Sequence, residues 1–328
     1  MHSFIRIITL GAGLLSLSLF GLQVAAQNYP NRPVRVVVPL APGGATDIQA
    51  RMFSQKLGAS LGQGFVVENR AGAGGLIAFN YVVSQAPGDG YTLLATSPGF
   101  TNALALYEKQ PFDPVKDFDP IILMSKAPYA LVVNPSFPAA TFKEFLAWAR
   151  ANPGKLDFAL SGIATTIHFA AVWMEDAAGI KTVLVPYKGT GPATQDLIAG
   201  KVHAAFANPI SAGPFIKSGK LRALAVTSPD RSATMPDLPT FAESGLKDFD
   251  VTTWHGWLGP RGTPQSVVKI LNAELNKVLK APEVMKVIAD DGGTIIGGSP
   301  ETFRKHIASE IERWKVLVKL GGIKPQLE

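Results

Sequence analysis

Residues 34–61 read VRVVVPLAPGGATDIQARMFSQKLGASL, and this stretch decides the fold class. Val34 to Leu40 is a short, largely β-branched run of the kind that forms a buried strand. Pro42-Gly43-Gly44 ends it, and Thr46 or Asp47 is expected to cap a helix whose apolar face is Ile48, Met52, Phe53, Leu57 and Leu61. A strand, a glycine turn and a helix start leave several backbone N–H groups unpaired at the positive end of a helix dipole, which suits a carboxylate or phosphate. Glycine lets the backbone approach such an anion with no Cβ in the way.

Working outward, the same alternation continues. Phe65–Glu68 reads as a strand, Arg70-Ala-Gly-Ala-Gly-Gly75 opens a helix over Leu76–Ser84, and Pro87-Gly88-Asp89-Gly90 turns into a strand over Tyr91–Ala95. Ile121–Met124 leads to Ala127-Pro128 and a new strand, Tyr129–Val133, where the chain is expected to cross into a second unit. That unit holds helix Phe142–Ala151, strand Asp157–Leu160, helix Ile167–Ala178, strand Thr182–Val185, helix Pro192–Ala199 and strand Ala204–Ala207. Leu221–Thr227 marks the return crossing. After the Pro-rich stretch Pro229–Pro239 the tail reads as helices Ser266–Leu279, Pro282–Ala289 and Pro300–Leu320. The last of these repeats apolar residues at Phe303, Ile307, Ile311, Trp314 and Val318, close to the 3.6-residue period. Strands alternating with helices give an α/β class with parallel sheets. The expected domains are residues 27–125 with 229–328, and residues 126–228.

Residues 1–26 stand apart as a leader. Arg6 supplies a positive start, Ile7 to Leu22 is mostly apolar, and Val24-Ala25-Ala26 places small residues before Gln27. The apolar run is short and interrupted by Thr9, Ser16 and Ser18, so it reads as a cleavable signal peptide rather than a span. Cleavage would place a free, soluble protein outside the cytoplasm and lower the formal charge from +6 to +5. With no cysteine, neither a disulfide nor a lipid attached at a cleavage-site Cys can form. The basic residues are dispersed and no nucleic-acid motif occurs, so a nucleic-acid partner is not expected. The remaining mild positive field favours arrival of small anions.

Three further junctions repeat the logic of the first. Ser161-Gly162-Ile163-Ala164-Thr165-Thr166-Ile167-His168 offers two hydroxyls and an imidazole at a helix start. Tyr187-Lys188-Gly189-Thr190-Gly191-Pro192 precedes the next helix, with Pro192 suited to its first position. Ala207-Asn208-Pro209-Ile210-Ser211 follows a fourth strand. In open α/β sheets ligands sit outside the carboxyl ends of the strands, and junctions of this kind split between two units describe a binding cleft. Catalytic readings are weaker. Gly58-Ala59-Ser60-Leu61-Gly62 matches G-x-S-x-G but ends a helix, whereas a nucleophile elbow needs strand, turn and helix. Ile77 stands where a dinucleotide fingerprint needs its third glycine, and no P-loop occurs. The five histidines are far apart in sequence, so no metal site is expected and no cofactor is implied. Trp254-His255-Gly256-Trp257 reads as packing near a hinge, with stacking on a ligand as its alternative.

Five motifs taken together resemble the Bug family of extracytoplasmic receptors related to tripartite tricarboxylate transporters. They are Val38-Pro39-x-x-Pro42-Gly43-Gly44-x-x-Asp47, Glu68-Asn69-Arg70-x-Gly72-Ala73-x-Gly75, Gly88-Asp89-Gly90-Tyr91-Thr92-Leu93, Tyr187-Lys188-Gly189 and Leu221–Thr227. The resemblance spans essentially the whole chain after the leader. It implies a Venus flytrap of the periplasmic binding protein type II class, two α/β domains around a ligand cleft, monomeric and working with membrane transporter subunits. It further implies that Leu40–Asp47 holds a ligand carboxylate through backbone amides and bridging waters, and that Ser161–His168 completes the cage. The candidate ligand contacts are therefore Leu40, Ala41, Gly43, Gly44, Ala45, Asp47, Ser97, Phe100, Ser161, Thr165, Thr166, His168, Tyr187 and Asn208. Departures from the family pattern fall at Leu40 for a common Phe, at Phe100 and Ala103 for a common His and Asn, and at Ala207 for a common acidic residue. These changes favour an aromatic or otherwise apolar acid, its ring on Phe100, over an amino acid or citrate. A sensor partner that presents ligand to a membrane kinase shares this fold; a carboxylate-ester hydrolase would need a nucleophile or metal that the sequence does not display.

Overall fold

The computed structural model describes residues 29–102, 112–163, 165–232, 234–247 and 249–320. The expected leader and Ala103 lie outside them. The decisive stretch forms strand β1 (Val34–Val38) and helix α1 (Ala45–Leu61). Its cap differs from expectation: Gly44 takes the N-cap with no side-chain hydrogen bond, and Thr46 and Asp47 fall inside the first turn. At the other end Gly62 adopts a left-handed φ of 72° and closes the helix through its amide on the Gly58 carbonyl, so the G-x-S-x-G match is a helix terminus.

Next come β2 (Phe65–Asn69), a 3-10 turn (Ala73–Gly75), α2 (Leu76–Ser84), β3 (Thr92–Thr96), the short α3 (Gly99–Asn102) and β4 (Phe118–Pro128). The chain then enters a second sheet through β5 (Ala130–Val133), α4 (Phe142–Ala151), β6 (Leu156–Leu160), α5 (Thr166–Ala178), β7 (Thr182–Pro186), α6 (Thr190–Ile198), β8 (Ala204–Ala207), α7 (Pro209–Lys217) and β9 (Arg222–Val226). It returns with β10 (Thr252–Pro260), α8 (Gln265–Val278), α9 (Pro282–Asp290), β11 (Thr294–Ile295) and α10 (Pro300–Leu320). Helix α6 starts two residues before Pro192, so that proline is its third residue and not its first.

The first sheet has the order β11-β4-β10-β3-β1-β2 and the second β7-β6-β8-β5-β9. Both are mixed, which corrects the expectation of parallel sheets. β10 runs antiparallel to β3 and β4, and β5 runs antiparallel to β8 and β9. Strand β4 carries the first sheet as far as Pro128, and β5 of the second sheet starts at Ala130. Helices α1, α8 and α9 cover one face of the first sheet, with Phe53, Leu57, Leu271 and Ile288 buried; α2 and α10 cover the other. Burial of each such side chain is worth about 1.5–3 kcal/mol. Helix α1 buries Asp47, Gln49 and Ser54 as well as Phe53, while Ile48, Met52 and Leu61 are only half-buried, because elements press on more than one of its flanks.

The reversed strands shape the edges of both sheets. An antiparallel strand brings its first residues to the sheet edge where parallel neighbours bring their last. Gly256 pairs with Thr96, so Thr253 and His255 of β10 stand at the carboxyl ends of β1 and β3. Ala130 pairs with Ala207, so Tyr129, just ahead of β5, stands beside Asn208 at the end of β8.

Candidate functional site

The carboxyl edges of the two sheets face each other across a tight cavity of about 30 Å³, room for a water or two as the walls stand. One wall is Pro39, Leu40, Ala41 and the first turn of α1 (Ala45, Thr46, Asp47), with Gly44 before it and Gly74, Phe79, Ser97 and Gly99 beside it. The other is Ser161, Thr165, Thr166, Ile167, Thr190 and Asn208, with Tyr129, Thr253 and His255 completing the ring. The N-terminal ends of α1, α5, α6 and α7 all reach this space. Because no side chain caps α1 or α6, their first amides keep no partner in the helix and present partial positive charge.

Asp47 lines the cavity but its oxygens are engaged. It accepts from the Gly43 amide at 3.1 Å, from Asn69 Nδ2 at 2.9 Å and from Arg51, whose guanidinium lies 2.9 Å away. Burial alone would raise this carboxyl; the bonds from Arg51, Asn69 and Gly43 together outweigh it and hold the group below its ordinary 3.8. Asn69 also donates to the Leu40 carbonyl at 2.9 Å, so one network fixes the loop from Leu40 to Asp47. In the opposite wall Thr165 caps α5, its hydroxyl accepting from the His168 amide at 3.4 Å and contacting Ser161 Oγ at 3.1 Å.

The two walls touch. The Ala41 amide donates to the Lys188 carbonyl at 2.9 Å, and Asn102 Nδ2 donates to Thr166 Oγ1 at 2.9 Å. A Cβ built at Gly191 would lie 2.1 Å from the Pro42 carbonyl oxygen, and one at Gly189 2.9 Å from the Ala41 nitrogen. Only glycine permits that approach. Behind the cavity Asp291, which follows α9, accepts from the Ile210 amide of α7 at 2.6 Å. Phe169 of α5 packs on Trp314 of α10, ring centres 5.1 Å apart.

Ten of the residues expected from sequence line the cavity: Leu40, Ala41, Gly44, Ala45, Asp47, Ser97, Ser161, Thr165, Thr166 and Asn208. Gly43, Phe100, His168 and Tyr187 do not. Gly43 holds the turn with a φ of 89° and bonds Asp47. Tyr187 donates to Asp196 at 2.9 Å and so braces the loop that touches Ala41. The His168 ring lies against Phe169, its pKa lowered by burial. Phe100 is fully buried among Phe79, Phe112 and Phe118, the nearest ring centres 4.9 Å apart, so it is not the wall on which a ligand ring was expected to pack. Such edge-on clusters stabilise a core beyond area burial, and Phe79 takes the place at the cavity instead.

Thr46, Phe79, Tyr129, Thr190 and Thr253 line the cavity without having been among the expected contacts, and His255 entered only through a motif read as packing with stacking on a ligand as its alternative. Thr253 and His255 share one side of β10 by their spacing of two, a signal present in the sequence but usable only once that segment is known to be a strand. Burial pushes the His255 imidazole down to about 4, so it is neutral near pH 7, and pushes the Tyr129 phenol up to about 12. Among the described residues no group of His, Cys, Asp and Glu side chains could hold a metal, and no helix is long and apolar enough to cross a membrane.

Residues 49–323 match the family model described as the tripartite tricarboxylate transporter family receptor. Protein BugT of Bordetella pertussis is 37% identical over 303 residues, covering 92% of this chain and 93% of BugT. Among solved structures, the periplasmic binding protein BugD is 36% identical with a TM-score of 0.88, the match covering 91% of this chain and 100% of that one. Rpa4515 of R. palustris, solved with adipate, is 34% identical with a TM-score of 0.87 over the same shares. Motifs, fold and relatives agree: the chain belongs to the tripartite tricarboxylate transporter receptor family, that of the Bug solute-binding proteins.

Proposed function

We propose that this protein is a periplasmic receptor that binds a small carboxylic acid between its two sheets and delivers it to a membrane transporter of the tripartite tricarboxylate type. The observation that carries the reading is the convergence of uncapped helix starts from both walls on one cavity, where backbone amides can hold a carboxylate without a buried lysine or arginine. Asp47 does not oppose this, since Arg51 balances its charge. The relative solved with adipate supports a dicarboxylate as the first ligand to try. With Phe100 in the core, a polar-ended acid suits these hydroxyl-rich walls better than an aromatic one. In this reading the protein acts as a monomer and performs no chemistry on its ligand.

We place the moving bodies at residues 27–125 with 229–328 and at 126–228; the exchange of sheets around Tyr129 and after Val226 supports the two crossings. Phe241, Leu246 and Phe249 of the return segment pack in the core of the second body before the chain re-enters the first sheet at β10. The leader reading is tested by the mass of the exported protein, which should begin at Gln27. A thermal-shift screen of carboxylic acids tests the receptor reading, because a ligand at 100 times its Kd adds about 2.7 kcal/mol. Calorimetry on the best acid should then show micromolar binding lost in Gly44→Val. Full affinity in that variant would move the site elsewhere.

A further inference from the structure

Two of the polar side chains that line the cavity are buried with an atom left over. His255 is 2% exposed and its Nδ1 has no hydrogen-bond partner among the described residues; Asn208 is 5% exposed and its Nδ2 likewise has none. Both stand at the sheet edges where the reversed strands β10 and β5 bring new residues to the cleft. Buried polar groups are almost always paired, and leaving one unpaired is costly, so orphaned atoms in a cavity wall mark the place of an absent partner.

We propose that His255, supported by Asn208, is a specificity-determining contact that receives a second oxygen-bearing group of the ligand, separate from the carboxylate held by the loop amides. The proposal rests on the receptor reading above and adds to it which acids are chosen. Asn208 Nδ2 carries two N–H donors, and a neutral imidazole offers one N–H and one bare nitrogen. That set suits a carboxylate, carbonyl or hydroxyl oxygen at the far end of a short chain. A hydrocarbon tail would leave these atoms unpaired and dry, and that cost discriminates against the analogue lacking the polar group. Neutrality of the ring matters here, because burial disfavours the imidazolium and the contact is then a hydrogen bond rather than an ion pair. The neighbouring Tyr129 is already engaged with Thr253 and Thr166, which leaves His255 and Asn208 as the unfilled pair.

Calorimetry with acids matched in carbon number tests this: adipate beside hexanoate, and succinate beside butyrate, on the wild type and on His255→Phe, His255→Gln and Gly44→Val. The wild type should bind at least one diacid ten times or more tighter than its monoacid partner. His255→Phe, which keeps the ring shape, should reduce that ratio to threefold or less by weakening the diacid. His255→Gln, which keeps an N–H donor, should retain most of it, and melting temperatures within a few degrees of the wild type show that the variants fold. A wild type with no preference, or a Phe variant that keeps the wild-type ratio, overturns the assignment, and would mean that water satisfies these atoms. If that happens while Gly44→Val still abolishes binding, only the role of His255 falls. If neither diacids nor monoacids bind the wild type, the receptor reading falls and this proposal with it.

Discussion

Gly191→Ala should separate closure of the cleft from folding of either domain. Gly191 is the second residue of α6, and the nearest atoms to its new Cβ all belong to Pro42 and Gly43 of the opposite wall, so the variant should melt close to the wild type without ligand. Across the cleft its new Cβ would lie 2.1 Å from the Pro42 carbonyl oxygen, against ordinary contacts of 3.4 Å or more. A backbone carbonyl cannot swing aside as a side-chain tip can, so the two walls must part by more than about 1 Å. That separation stretches the 2.9 Å bond from the Ala41 amide to Lys188 beyond hydrogen-bond length. It also takes one wall out of reach of a carboxylate held by the other. Losing the interdomain bond costs about 0.5–1.5 kcal/mol and losing one charge-assisted bond to the ligand about 1.5–3 kcal/mol. Together these amount to about 2–4.5 kcal/mol, or roughly a 30- to 1,600-fold rise in Kd. Calorimetry with the acid that most stabilises the wild type measures the loss, and small-angle scattering tracks compaction on ligand addition. Wild-type affinity with wild-type compaction would refute the argument, because the touching loops would then have no part in the bound state.

Other substitutions probe other links. Thr166→Ala removes the hydroxyl that accepts from Asn102 across the cleft and lines the cavity; it should weaken binding at least tenfold by calorimetry and lower stability by about 1–3 kcal/mol, because the buried Asn102 amide is left unpaired. Asp47→Asn should lower stability by about 1–2 kcal/mol at pH 7, read by urea titration. Because the Asp47 pKa is depressed on folding, that contribution is present above 3.8 and fades as pH falls through the lower folded value, so wild type and variant should converge in acid. Asp291 behaves in the opposite sense. Burial raises it to about 7, so its stabilising contribution is complete below 3.8 and is lost as pH rises through about 7. Asp291→Asn keeps an oxygen for the Ile210 amide and should raise the melting temperature at pH 8, by up to about 4 kcal/mol in free energy, while leaving it unchanged near pH 4.

Much of this architecture could be read from local pattern. The β-branched run at Val34, the glycine turn after it and the 3.6-residue period of Phe303, Ile307, Ile311 and Trp314 each determine one element through short-range sterics and burial. The four strand-to-helix junctions were legible for the same reason, and they supplied most of the cavity wall. Strand direction was not. Whether β10 runs parallel or antiparallel depends on partners more than a hundred residues away, and Trp254-His255-Gly256-Trp257 carries no local mark of it. Thr253 was missed on that account, and His255 was reached only as part of a motif read first as packing. Phe100 was misplaced because a ring beside a cleft and a ring under it have the same sequence context; only packing against Phe79 and Phe118 distinguishes them.

The position of β10 also bears on how the chain acquires its shape. All strands of the second sheet lie between residues 130 and 226, and Phe241, Leu246 and Phe249 close its core, so that unit can be complete once residue 251 is made and before β10 follows. The first sheet cannot. Its middle place, between β3 and β4, is filled by residues 252–260, and until they arrive β3 and β4 each present an open strand edge. Domains form as units from the N-terminus during synthesis, yet here the first strands made belong to the last sheet finished. Pairings of such long sequence separation are slow, and unpaired edges invite association with other chains. The strand that brings His255 to the cleft thus also sets the interval during which the nascent protein is most exposed to aggregation.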